Sequence, residues 1–318
     1  MALTGLENDD LKLIIFGGKG GVGKTSCAIA TSLALSQRFN TLLISTDPAH
    51  SVSDCLEQQI GFKVVKVDDT VNLSAIEVIA EEALSGFKTE HLGKLKKLLE
   101  TSTSLDNEDI DEMLKLSIPG IDEVMSFKII IDFIEAGEYD KYVIDTAPTG
   151  HALRLIASPK LLDEWIKVAS RMRWKYRFMI TSFSGSYKQD EVDALLISLK
   201  KTVKRIENLL MDKAKCEFIP VCIPEAMAIM ETGRLLTELG TSGIIARQII
   251  VNNVMFASDG CDFCKRRKAG QLHYLHEIST AFSHLNRIEV PMFAEEIKGM
   301  KALNKLKMCL FKDKSIKN

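Results

Sequence analysis

At 318 residues, with 41 lysines and arginines against 43 aspartates and glutamates, the chain carries a net charge of −2 at pH 7. So even a balance gives no electrostatic case for DNA or RNA, and no nucleic-acid partner is expected. No apolar run approaches the roughly 18 residues of a membrane span, and residues 1–12 lack signal-peptide architecture, so the expected location is cytoplasmic. The seven cysteines then read as thiols or metal ligands rather than as a disulfide framework.

The first expected element is a strand at 13–16, Leu13-Ile14-Ile15-Phe16, and the loop Gly17-Gly18-Lys19-Gly20-Gly21-Val22-Gly23-Lys24-Thr25 follows it directly. Gly18, Gly23, Lys24 and Thr25 satisfy G-x-x-x-x-G-K-[ST], the pattern whose glycines let backbone N–H groups close around nucleotide phosphates. Lys24 is expected to reach the β and γ phosphates and Thr25 to hold Mg²⁺. A helix over about 24–37 would point its positive N-terminus at the same anion. The expected ATP contacts run through Gly18, Lys19, Gly20, Gly21, Val22, Gly23, Lys24, Thr25 and Ser26.

Further strands are expected at 41–46, 72–76, 141–144, 217–223, 248–252 and 287–290, alternating with helical stretches. That alternation predicts an α/β fold of the P-loop NTPase kind, a mostly parallel sheet flanked by helices. Runs such as Leu42-Leu43-Ile44 and Ile249-Ile250-Val251 are apolar on successive residues, as in strands buried on both faces. Two stretches break the rhythm, at about 80–118 and 160–210, and are read as insertions forming a helical subdomain within one ATPase domain covering 1–318.

The first insertion is polar over 101–111, and part of it is expected to be disordered when nothing is bound to it. In the second, Leu162, Trp165, Ile166, Ala169, Met172, Tyr176, Met179 and Ile180 recur at helical spacing, with Lys167, Arg171, Lys175 and Arg177 at other positions. Such a face fits an ordinary amphipathic helix on a core, or a layer offering apolar contacts to a client.

Two polar motifs fall at strand ends, where open sheets of this class bind ligands. Asp47-Pro48-Ala49-His50-Ser51 follows the second strand, and Asp145-Thr146-Ala147-Pro148-Thr149-Gly150-His151 ends the fourth. An aspartate after an apolar strand orients Mg²⁺ in P-loop hydrolases, which suits Asp145. A separate carboxylate near the γ-phosphate orients the attacking water, and Asp47 is the candidate. Either aspartate alone would also fit a turn or a helix cap.

Cys261-Asp262-Phe263-Cys264 offers two thiolates at chelating spacing, while tetrahedral zinc takes four ligands. The other two could be His273 and His276 of the same chain, or a second copy's cysteines; alternatively the thiols stay free. The tail at 297–318 alternates Lys298, Lys301, Lys305 and Lys307 with Leu303, Leu306 and Leu310. That pattern fits a packed terminal helix with solvated lysines better than a membrane-surface helix.

Lys19 in Lys-Gly-Gly-x-Gly-Lys-[ST] resembles the deviant loop of the superfamily of MinD, the nitrogenase iron protein and the arsenite-pump ATPase. With Asp47 to Ser51, Pro119-Gly120-Ile121-Asp122-Glu123, the run from Asp145 with Leu153-Arg154, Val251-Asn252 and Val290-Pro291, the chain is similar to the arsenite-pump ATPase family. The branch it resembles most is the guided-entry ATPase that targets tail-anchored membrane proteins, in its single-domain prokaryotic form.

The resemblance implies a hydrolase that works as a homodimer closing on ATP, with Lys19 reaching the partner's nucleotide and Asp47 polarising water. It implies Asn252 at the adenine, Glu225 at the nucleotide and Pro291 by the base pocket. It also implies one zinc per dimer held by Cys261 and Cys264 of each chain, transmembrane segments of client proteins as cargo, and a membrane receptor.

The alternative from the same family is the catalytic subunit of an arsenite or antimonite efflux pump, whose partner is a pump subunit. Residues 117–127 and 151–215 contain no cysteine, where that activity would place soft thiolate ligands, and no second phosphate loop is present. A positioning ATPase of the MinD kind is a third reading, resting only on the basic tail.

Overall fold

The structure is a computed structural model. It describes residues 1–102, 121–147, 189–256 and 261–311 and, between them, residues 160, 162–164, 166–171, 173–175, 178, 181–182 and 186. In chain order the elements are β1 (Leu13–Gly17), α1 (Lys24–Leu35), β2 (Thr41–Ser45), α2 (Ser51–Leu56), β3 (Val65–Lys66), β4 (Leu73–Glu77), α3 (Ala80–Ser102) and α4 (Ile121–Ala136). They continue with β5 (Lys141–Asp145), α5 (Glu191–Met211), β6 (Cys216–Cys222), α6 (Ala226–Thr241), β7 (Gln248–Val254), α7 (Asp262–Ala281), β8 (Asn286–Pro291) and α8 (Gly299–Phe311).

All the strands join one sheet in the order β3-β4-β2-β5-β1-β6-β7-β8. Every pairing is parallel except β3 with β4. The seven strands expected from sequence are present, with ends shifted by one or two residues. The eighth, β3, has only Val65 and Lys66, too short for any alternation to show.

The doubly buried runs have a direct explanation in the packing. Ile250 of β7 points into one core cluster, with Ile14, Phe16 and Leu43, while its neighbours Ile249 and Val251 point into another, with Ile229, Ile278 and Phe282. Side chains alternate faces along a strand, so a strand covered on both sides carries apolar residues on successive positions, as Ile249, Ile250 and Val251 do.

On the first face α1 packs against α8. Leu303, Leu306 and Leu310 of α8 are wholly buried in that cluster, and each contributes about 1.5–3 kcal/mol by leaving water. The same helix leaves Lys301 and Lys305 exposed, so Gly299–Phe311 is the packed helix that the tail's sequence suggested. Among the described residues no helix is long and apolar enough to cross a membrane.

The register aligns the strand C-termini along one edge: Phe16 pairs with Asp145, Ser45 with both Asp145 and Glu77, and Gly17 with Pro220. The connection from β1 runs to β2 on one side while β6 lies on the other, so the loop after β1 opens where the winding reverses. Ligands of open α/β sheets bind at that point.

By internal contacts the chain divides into two compact units, Met1–Ile79 with Phe133–Leu153 and Leu209–Asn318, and Ala80–Asp132 with Arg154–Asn208. The first holds the sheet. Within the second, Leu98, Ala169, Val192 and Leu196 form a small core.

Beside that core the buried Arg173 makes ion pairs with Asp190 and Asp193, and Lys97 approaches Asp190 at 3.1 Å. Burial alone would raise the Asp190 carboxyl, but hydrogen bonds from Arg173 and Lys97 hold it down at about 2. The same carboxylate accepts the Val192 N–H at 3.0 Å and so caps the start of α5.

The described residues between 160 and 182 are helical. Leu162, Ile166 and Ala169 are buried, whereas Val168, Trp174 and Phe178 are exposed, the last two stacked with centroids 6.0 Å apart. Trp165, Met172, Tyr176, Met179 and Ile180, which completed the expected apolar face, lie outside the described residues, as do the acidic stretch after residue 102, Pro119, Gly120 and Pro148 to Arg154.

Candidate nucleotide site

The loop after β1 is shaped from behind by β6 and β7. A side chain on Gly18 would collide with the Val221 carbonyl, and one on Gly23 with the Asn252 amide. Gly23 also has a φ of 92°, which disfavours any residue bearing a Cβ. Asn252, buried in β7, donates its amide to the Val22 carbonyl at 2.9 Å and accepts the Asn253 N–H at 2.9 Å. The residue expected at the adenine is thus the one that fixes the phosphate loop to the sheet.

At the first residue of α1, Lys24 is buried and its ammonium donates to the Lys19 carbonyl at 3.2 Å. Burial lowers its pKa, while Asp145 and then Asp47 act to raise it. One turn of helix thereby aims a cation and a set of backbone N–H groups at the same space, the arrangement a polyphosphate needs.

The next side chain, Thr25, donates its hydroxyl to Asp145 Oδ2 at 2.7 Å. Asp145 is fully buried, and burial pushes its carboxyl up to about 7, against the Thr25 hydrogen bond and Lys24, which lower it, and Asp47, which raises it further. Among the described residues its Oδ1 has no hydrogen-bond partner. A buried carboxylate oxygen without a donor, beside a threonine hydroxyl, is the donor set of a hard divalent cation, so Thr25 and Asp145 fit Mg²⁺.

Asp47 is half-buried. Its N–H donates to Ser45 Oγ at 3.2 Å, and its Oδ1 accepts the Ala49 N–H at 3.1 Å, closing a local turn. The other residues expected at the nucleotide differ in exposure. Lys19 and Pro291 are half-buried, and Glu225 is exposed at the start of α6, where its side chain makes no capping bond. Ser45, which ties the Asp47 backbone to β2, was not singled out from sequence; a serine closing an apolar strand was the available signal.

Cys261 stands exposed at the N-cap of α7 and Cys264 lies half-buried in its first turn. The Cys264 backbone N–H and thiol both donate to Cys261, which lowers the Cys261 thiol. His273 and His276 are nine and twelve residues further along this continuous helix, a rise of about 13 and 18 Å, so they cannot close a four-ligand site with the thiols. Among the described residues no group of three or more metal-ligating side chains occurs.

With this geometry in place, comparison with known proteins is decisive for the family. Residues 11–312 match the family described as Anion-transporting ATPase. The chain belongs to that family. As a member of this ATPase family it hydrolyses ATP, and its eight-stranded sheet is the P-loop NTPase architecture expected from the loop.

It is similar to the ATPase ASNA1 homolog 1 of Paramecium tetraurelia, 34% identical over 98% of this chain and 95% of that one. It is also similar to the ATPase get3 of Neurospora crassa, 33% identical over 96% of this chain and 92% of that one. The ATPase GET3 of Malassezia globosa is 34% identical over 95% and 91%.

Proposed function

We propose that this ATPase is a homodimeric targeting factor that binds the transmembrane helix of tail-anchored membrane proteins and hands it to a membrane receptor. Similarity to the GET3 and ASNA1 ATPases over nearly the whole chain supports this branch of the family. The observation that carries the client reading is the Trp174 and Phe178 pair, aromatic rings left in water on the second unit. Such rings supply large, adaptable contacts to an apolar helix. In this reading the second unit is the helical subdomain that shields the client.

In the proposed mechanism Lys24 and the N–H groups of the loop hold the phosphates of ATP. Asp47 orients the attacking water, and Lys19 of each chain reaches across to the partner's nucleotide. Asn252 and Pro291 border the base, and Glu225 contacts the nucleotide. Thr25 and Asp145 would hold Mg²⁺, which when bound spreads the charge developing on the transferred phosphoryl group. Cys261 and Cys264, paired with their counterparts in a second chain, would hold one zinc and join the dimer.

The pump reading needs thiolates to bind a metalloid. Cys27, Cys216 and Cys222 are buried, which pushes their thiols up to about 12, and burial also raises Cys55 and Cys309. That leaves the exposed Cys261, whose thiol is lowered by hydrogen bonds from Cys264, with Cys264 beside it, and the zinc reading uses this pair.

The test is co-expression with a tail-anchored client. A soluble complex that the Asp47→Asn variant retains is expected. No complex, together with ATPase activity stimulated by antimonite, would assign the chain to the pump instead.

A further inference from the structure

Glu77 is the last residue of β4, in register with Ser45 at the end of β2, and its carboxylate is buried at 1% exposure. Oε1 accepts the Ser53 backbone N–H at 3.0 Å, and Oε2 faces His50 Nδ1 at 2.7 Å. A ring nitrogen and a carboxylate oxygen this close form a hydrogen bond, in which Nδ1–H is the donor when the carboxylate is ionised.

His50 sits in the left-handed region, with φ 51° and ψ 29°. For a residue with a Cβ that conformation is unfavourable, so something must hold it there. Glu77 does so, gripping His50 and the first turn of α2 together.

The Asp47 loop therefore hangs between two fixed ends. At its start the Thr46 N–H donates to the Asp145 carbonyl at 2.9 Å and the Asp47 N–H to Ser45 Oγ at 3.2 Å. At its far end it meets the Glu77 grip. Ser51, inside that grip, brings its hydroxyl within 3.5 Å of Thr25 Oγ1, so the held turn touches the phosphate-loop helix.

We propose that Glu77 is a positioning residue for ATP hydrolysis, holding the Asp47 loop against the nucleotide site through His50 and Ser53. The proposal rests on the reading of Asp47 as the water-orienting carboxylate. Glu77 does not act on ATP itself. Without it the loop loses its far anchor, and a displacement of about 1 Å at Asp47 is enough to cost on the order of a hundredfold in rate.

The test is steady-state ATPase kinetics, with affinity for a fluorescent ATP analogue and melting temperature measured alongside. Glu77→Ala and His50→Ala are each expected to lower kcat by about ten- to a hundredfold while KM and analogue affinity stay within about twofold. The double variant should be no worse than the more damaged single one, because both remove the same grip. Glu77→Gln should recover part of the rate, since its amide oxygen still accepts the Ser53 N–H. His50→Asn should also recover part, since asparagine tolerates the left-handed backbone and can donate to Glu77.

A kcat within about twofold of wild type in both Glu77 variants, or losses that multiply in the double variant, would overturn the proposal. So would a fall in kcat that only tracks lost analogue affinity or lost fold. If Glu77→Ala does not fold, Glu77→Gln with His50→Ala completes the cycle. Asp47→Asn is assayed in parallel: an active Asp47→Asn sinks the water-orienting reading, whereas a dead one beside active Glu77 variants sinks only the positioning role.

Discussion

Thr25 and Asp145, 120 residues apart in sequence, are joined by a 2.7 Å hydrogen bond that leaves one oxygen of a fully buried carboxylate without a donor. The pair sets the first prediction, because burial pushes its carboxyl up to about 7 from the usual carboxylate range near 4. Between those values the folded state binds more protons than the unfolded one. In metal-free protein this group therefore makes stability fall as pH rises from about 4 to about 7, with no further loss above. Asp145→Asn should flatten that part of the melting-temperature profile in EDTA and abolish ATP hydrolysis. A wild-type melting temperature that rises steadily across this window, unchanged in the variant, would contradict it.

Gly23→Ala tests the shape of the loop. The added methyl would meet the Asn252 amide and force an alanine to a φ of 92°. A loss of about 1–3 kcal/mol in stability is expected, with binding of a fluorescent ATP analogue largely lost. Asn252→Ala should be milder, about 1–2 kcal/mol, since it removes one donor to the Val22 carbonyl. Denaturant titration separates the two.

Arg173→Ala would leave Asp190 and Asp193 without their buried cation. A loss of about 3–5 kcal/mol is expected, read as early protease cleavage within 80–208. The Asp190 carboxyl, held at about 2, also gives a sign for acid. Its contribution is fully present above the unfolded value near 4 and disappears as pH falls towards 2.

Trp174→Ser and Phe178→Ser change side chains that are about two-thirds exposed. Stability should move by no more than about 0.5 kcal/mol and basal ATPase activity should be unchanged. Recovery of a co-expressed tail-anchored client should drop severalfold. Equal recovery with both variants would locate the client elsewhere.

Cys261→Ser with Cys264→Ser should remove zinc and shift the protein towards monomer in light scattering at micromolar concentration. Native mass spectrometry of the unaltered chain should give one zinc per two chains. One zinc per chain would contradict the shared site.

The sheet was legible because burial on both faces leaves a run such as Ile249-Ile250-Val251 with no polar interruption. The phosphate loop was legible because backbone geometry demands glycine at fixed spacing, as at Gly23. β3 escaped because two residues carry no period.

What could not be read were pairings between distant positions. Asn252 meets Val22 across 230 residues, and Glu77 meets His50 across 27. Each side chain alone looks like an ordinary polar residue in or after an apolar strand, and only the parallel register brings partners to the same edge. Trp174 was passed over for the opposite reason, since sequence periodicity assigns large apolar residues to cores and this one is in water.

The packing of α8 on α1 has a consequence for how ATP can move this molecule. Helix α1 is enclosed by the sheet on one side and by Leu303, Leu306 and Leu310 on another, and the Leu3 N–H bonds to the Leu310 carbonyl to close the rear. A helix walled in like this cannot piston when the terminal phosphate departs. The phosphate loop is then a stator, and in this reading the stroke falls to the loop that follows Ser45, which is held by single hydrogen bonds from Thr46, Asp47 and His50 rather than by a strand ladder.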